Sequence, residues 1–201
     1  MLEITPTRSA YLELREERVG MEEGYRFLDE KRLVIAAEAL KELERYGAVK
    51  QDFMCLYIKA AEALKGAVAR HGINALEIYP PNTDAWGEIQ RESRSVLGLQ
   101  VQDVLVQENQ TEPVESAINA SPEAEQTRKA FTHLITLAAS LAAMTSNLVR
   151  LKDEYQRTSR RARALEDVLL PEIDQTLSQI DAALEEIDKE EIVRVHYSMQ
   201  S

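Results

Sequence analysis

Cysteine is almost missing from the 201 residues: Cys55 stands alone, which excludes an internal disulfide and fits a reduced compartment. Aromatic residues reach only 5%, with 7 glycines and 6 prolines, while charged residues make up 29%. That balance argues against a compact globule and for long helices or coiled coils. Positive charge is also short. The formal net charge of −11 excludes a general nucleic-acid binder, because phosphate contacts need a basic surface. No uncharged apolar run approaches the roughly 18 residues of a membrane span, and the opening MLEITPTRSAYLELREE has no signal-peptide apolar region. A soluble chain with no direct membrane insertion is the expectation.

Catalytic patterns are lacking too. His71, His133 and His196 have no companion Cys or Glu at metal-ligand spacing, so no metal site is expected. No phosphate-cradling glycine loop occurs, and Cys55 has no neighbouring histidine to activate it. The sequence therefore predicts no catalytic residue, no cofactor and no metal. The chain by itself is not expected to be an enzyme.

What is present is helix signal. Ser121-Pro122-Glu123 reads as a cap, a first-position proline and an acidic first turn. An apolar seam follows at Leu134, Leu137, Leu141, Met144, Leu148, Leu151, Tyr155, Thr158, Ala162, Leu165 and Leu169. Its alternating steps of three and four are the coiled-coil signature. It resumes after Pro171 at Ile173, Leu177, Ile180, Leu184 and Ile187, and no glycine interrupts residues 121 to 201. Helical to about residue 195, this element would be on the order of 110 Å long. The first half opens at Thr5-Pro6 and carries Leu14, Met21, Leu28 and Ile35, then Met54, Tyr57, Ala61, Leu64 and Val68. Gly47 marks the expected bend or register slip between those two sets, and Gly72 the helix stop.

Residues 73 to 120 change character, with proline and asparagine in YPPNTDAWG, NQTEP and NASP. Between them SVLGLQVQDVLVQ alternates apolar and polar residues and reads as one or two strands, in the latter case a β-hairpin. The predicted fold is mainly α: a long antiparallel two-helix coiled-coil hairpin with a small irregular or β-hairpin segment between its helices. The expected division is residues 1–72 for the first long helix, 73–120 for the middle segment and 121–201 for the second long helix.

One stretch resists a purely structural reading. Arg157, Arg160, Arg161 and Arg163 fall within seven residues of an acidic chain. At about 100° per residue they spread over one side of the helix, opposite Thr158, Ala162, Leu165 and Leu169. Two readings compete: a solvated basic face with local pairs such as Asp153–Arg157, and a contact zone for an acidic partner. Pro171 lies on the same outer side. Because proline removes a helical hydrogen bond and crowds the preceding turn, it predicts curvature there. The spacing of four along Leu165, Leu169, Ile173 and Leu177 points to a relaxed supercoil at the same place.

Several segments together resemble one family. TPTRSAYLELR (residues 5–15), GYRFLDEKRLVI (24–35), SVLGLQV (95–101) and above all RRARALEDVLLPEIDQTLSQIDAALEE (160–186) are similar, in order, to segments of the D subunit of the V-type and archaeal-type rotary ATPases. Arg163 stands where that family usually has asparagine, Asp29 where lysine is frequent, and the ending VRVHYSMQS lacks the lysine-rich tail of many relatives. The resemblance implies a non-catalytic central-stalk rotor shaft, cytoplasmic and peripheral to the membrane. It would couple ATP hydrolysis or synthesis in a hexamer of catalytic and non-catalytic subunits to ion translocation through a membrane ring. The implied partners are that hexamer, the small F subunit of the stalk and a funnel subunit at the ring. A non-catalytic coiled-coil protein of another kind, such as an export-apparatus stalk or a cytoskeletal adaptor, fits the heptads equally well and lacks only the motif matches.

Overall fold

The computed structural model describes residues 5–76, 89–106 and 121–199. Helix α1 spans Arg8–His71, the one-turn α2 Ile73–Leu76, strands β1 and β2 Ile89–Val96 and Leu99–Val106, and α3 Pro122–Ala164. A π-helical turn, Leu165–Leu169, leads directly into α4, Leu170–Met199. The fold is a helical hairpin with a small antiparallel β-hairpin between its long helices. The proline-rich stretch 79–87 and residues 107–120 lie outside the described residues.

Local chemistry sets the helix ends. The first cap is Thr7, two residues later than the Thr5-Pro6 signal suggests: its hydroxyl accepts from the Ala10 N–H at 3.2 Å, and its carbonyl accepts from Tyr11 at 3.0 Å. The other end of α1 stops at Gly72, whose φ of +74° costs little without a Cβ. At the start of α3 the buried Ser121 accepts from the Ala124 N–H at 3.2 Å, the cap geometry expected of it. Gly47 does not end α1, which is unbroken from Arg8 to His71.

The chain forms two compact units. The first comprises residues 5–34 and 155–199 of the described chain. Leu14, Ile173 and Ile180 form its core, with Tyr11, Met21, Leu177 and Leu184 packed around them. Arg8 pairs with Asp188 at 3.1 Å and Arg18 with Asp174, so α1 and α4 run antiparallel. Asp174 above all, with Glu22, holds the Arg18 guanidinium above its ordinary range. These pairs are solvated and contribute little to stability. The apolar seam sets the stability of this unit.

The second unit comprises residues 35–154. Ile35, Ala60 and Ala67 of α1 and Leu134, Met144 and Leu151 of α3 are buried, and Arg70 grips Glu123 at 2.7 Å. Small residues at Ala60 and Ala67 allow the facing helices to approach closely. By length and composition alone, one window of the helix Pro122–Met199 is apolar enough to cross a membrane, contrary to the expectation from charge-free runs. Only 22% of that window is buried; Leu134, Met144 and Leu151 lie inside on the seam, and the Thr132, Thr136, Ser140 and Thr145 hydroxyls donate to carbonyls four residues back.

A polar layer joins the β-hairpin to the helices of this unit. The Asn147 side chain acts as a strand neighbour for Gln102: its Oδ1 accepts from the Gln102 N–H at 2.9 Å, and its Nδ2 donates to the Gln102 carbonyl at 2.7 Å. The same Nδ2 donates to Glu42, a fully buried carboxylate, at 3.0 Å, and Arg45 completes the pairing at 3.2 Å. Val101 is the apolar anchor of the hairpin, at 1% exposure. Around it Arg94 pairs with Glu38 and reaches Asp103 at 3.8 Å, while Arg150 donates to the Gln100 carbonyl at 3.3 Å. Arg94 holds the Glu38 carboxyl below its usual range by hydrogen bonding to the charged form.

Candidate partner interface

The four arginines of the collar are all exposed, and none forms an ion pair or side-chain hydrogen bond among the described residues. The local pair Asp153–Arg157 is therefore not formed. Thr158 and Ala162, interleaved with the collar, are 2% and 1% exposed. The helix thus turns a packed side inward and four guanidinium groups outward, as the angular spacing predicts. Exposed charges of this kind act over about 8–10 Å at moderate salt.

Just beyond the collar the helix widens. The Leu170 N–H donates to the Leu165 carbonyl, a step of five residues, and Pro171 follows immediately. A π-turn relieves the clash a proline ring makes with the turn before it. It also inserts one residue into the seam. Thr158 and Ile173, both buried, are fifteen residues apart, one more than two heptads. Leu169, read from spacing as a seam residue, is consequently exposed at 38%, and the half-buried Leu170 takes its place. Opposite the turn, an added Cβ at Gly24 would lie 3.9 Å from Leu165. Tyr25 hydrogen-bonds Glu166, and burial of its phenol, with that carboxylate, pushes its pKa up.

The larger departure lies on α1. Ile35 and Glu42 are one heptad apart, and Ala60 and Ala67 occupy the second seam position of the same repeat. The seam therefore runs in register past Gly47, through a buried glutamate that a search for apolar residues passes over. Met54, Tyr57, Ala61 and Leu64 form a different stripe, and all four are exposed. With Leu40, Leu43 and Gly47 that stripe has its own heptad spacing, and its large residues are 39–64% exposed. Within the second unit α1 thus carries two seams, one packed against the chain itself and one uncovered. A helix hydrophobic on two sides is built to be covered on both.

Among the described residues, no group of three His, Cys, Asp or Glu side chains converges to hold a metal ion. His71 bonds the Ser121 hydroxyl at 2.6 Å, joining the end of α1 to the start of α3. Cys55 is exposed.

Residues 10–198 match the family model of the ATP synthase D subunit. The chain belongs to that family. The V-type ATP synthase D subunit of Thermotoga neapolitana is 25% identical to it, over 96% of each chain. The A-type ATP synthase D subunits of Pyrococcus furiosus and Methanosarcina acetivorans are 27% and 26% identical, over 97% and 96% of this chain and 92% and 94% of theirs. Membership makes this a non-catalytic stalk subunit of a V/A-type rotary ATPase, membrane-peripheral as part of the complex, and the assembled complex is the enzyme. The export-stalk and adaptor readings are not favoured. As a D subunit, the chain is part of a complex with other subunits.

Proposed function

We propose that the chain is the rotor shaft of its complex, in the cytoplasm, surrounded at its paired termini by the hexamer of catalytic and non-catalytic subunits and coupled to the membrane ring through a funnel subunit. The observation that supports this most is the contrast between its two free surfaces. A partner that turns with the shaft stays bound, and permanent contacts are apolar. The stripe Leu40, Leu43, Met54, Tyr57 and Leu64 suits a helix of the small F subunit of the stalk in that role. A partner passed during rotation must be released, and solvated charge permits that. Arg157, Arg160, Arg161 and Arg163 suit acidic loops of the hexamer, and curvature at Pro171 would present a different side of the shaft to each catalytic interface.

Reconstitution tests both assignments. Met54→Glu with Tyr57→Glu should leave the free chain folded and abolish capture of the small stalk partner. Arg160→Glu with Arg161→Glu should also leave the helices folded, since neither residue is in the seam. It should weaken hexamer binding or coupled ATPase activity more at low than at moderate salt. A collar variant that binds and couples like the parent at both salt concentrations would show the arginines to be a solvated face only.

A further inference from the structure

We propose that the π-turn is a one-residue register insert, and that it makes residues 165–170 the yielding point of the helix that runs through the first unit. Three observations carry this. The heptad of Leu151 and Thr158 runs forward to Leu165, whereas that of Ile173 and Ile180 runs back to Glu166, so the two repeats miss each other by one position. The miss falls where the Leu170 N–H reaches back five residues to Leu165. No residue of the turn is buried, and Glu166, Asp167, Val168 and Leu169 are exposed, so its opening is opposed mainly by Leu165 beside Gly24 and by the Tyr25–Glu166 hydrogen bond. Pro171 supplies no N–H, which removes one more backbone bond from the same place.

The offset has a direct consequence. Removing one residue from the turn brings Leu170, Leu177 and Leu184 into line with Leu148 and Ala162, and Ile173 and Ile180 into line with Leu151 and Thr158. A shorter chain would therefore carry one continuous heptad seam, the arrangement that favours an uninterrupted α-helical coiled coil. The natural chain keeps the extra residue and forgoes that continuity. On the shaft reading above, twist applied to the helix would concentrate at this turn. The insert itself does not depend on that reading, because it is a property of the free chain.

Hydrogen exchange on the full-length free chain tests it. Amides of residues 166–170 should exchange roughly tenfold or more faster than those of residues 173–184. Pro171→Ala combined with deletion of Val168 should erase that difference and leave the thermal midpoint at or above that of the parent. Pro171→Ala combined with insertion of one alanine after Gln175, which moves Leu177, Ile180 and Leu184 out of line with Ile173 and with the repeat of Leu151 and Thr158, should lower the midpoint. Pro171→Ala alone should slow exchange in the turn only partly, because the extra residue remains. Uniform exchange in the parent chain would overturn the proposal. So would a deletion of Val168 as damaging as that insertion. Failure of the chain to bind a hexamer would count against the shaft reading and leave these results standing.

Discussion

The two units pair antiparallel helices by different means. In the first, Leu14, Ile173 and Ile180 meet across an apolar seam, and the charged pairs Arg8–Asp188 and Arg18–Asp174 stay in water. In the second, the seam admits a carboxylate and an amide, Glu42 and Asn147, both at most 1% exposed. Apolar packing is tolerant, since any side chain of similar volume fills it. A buried polar layer is exacting, because each group must find its partner or incur its full desolvation cost. The difference follows from what each unit holds: the second carries a β-hairpin whose strand edge needs hydrogen-bond partners, and Asn147 supplies them.

The largest expected effects come from breaking each device. Asn147→Ala strips the Gln102 backbone and Glu42 of a partner and should cost about 2–4 kcal/mol in chemical denaturation. Ile180→Ala should cost a similar 2–4 kcal/mol through its cavity. What separates the two is the repair. Glu42→Leu combined with Asn147→Leu should restore helix pairing but leave the hairpin undocked, so that amides of residues 99–105 lose protection while those of α1 and α3 keep it. Retained protection in the hairpin would mean that Val101 and the arginines hold it without the amide.

Acid should act next, and chiefly on the second unit. Glu38 has its folded-state pKa depressed by Arg94 below the usual 4.5. Its contribution is therefore complete above about that pH and is lost as pH falls through the lower folded value. The denaturation midpoint should drop below about pH 4.5, and Glu38→Gln should blunt the drop while lowering stability at neutral pH. A parent and variant with parallel pH profiles would remove Glu38 from the docking contacts.

Smaller effects belong to the first unit. Arg18→Ala should have only a small cost, which shrinks further with added salt, the behaviour of a solvated pair. Gly24→Ala should stabilise by about 0.5–1 kcal/mol, because the new methyl meets Leu165 at an ordinary 3.9 Å while the helix gains propensity. Destabilisation by that substitution would mean that the π-turn needs the space.

Much of this molecule is legible in its sequence. Heptad spacing places Leu134, Met144, Leu151, Ile173 and Ile180 inside, and Ser121 and Gly72 mark their helix ends, because caps and periodicity are local properties of neighbouring residues. The outward direction of the four arginines follows from angular spacing alone. The strand β1, IQRESRSV, carries almost no apolar signal. Its register becomes visible only against β2, across a Leu97-Gly98 turn with both φ values positive. Glu42 and Asn147 look like surface residues in the sequence, and only folding brings together the groups that satisfy them. The two stripes of α1 have the same period, so no local rule distinguishes the seam that α3 covers from the one left open. Which stripe is buried depends on where a helix about a hundred residues further along the chain finds complementary volume and charge, and that is a property of the tertiary structure.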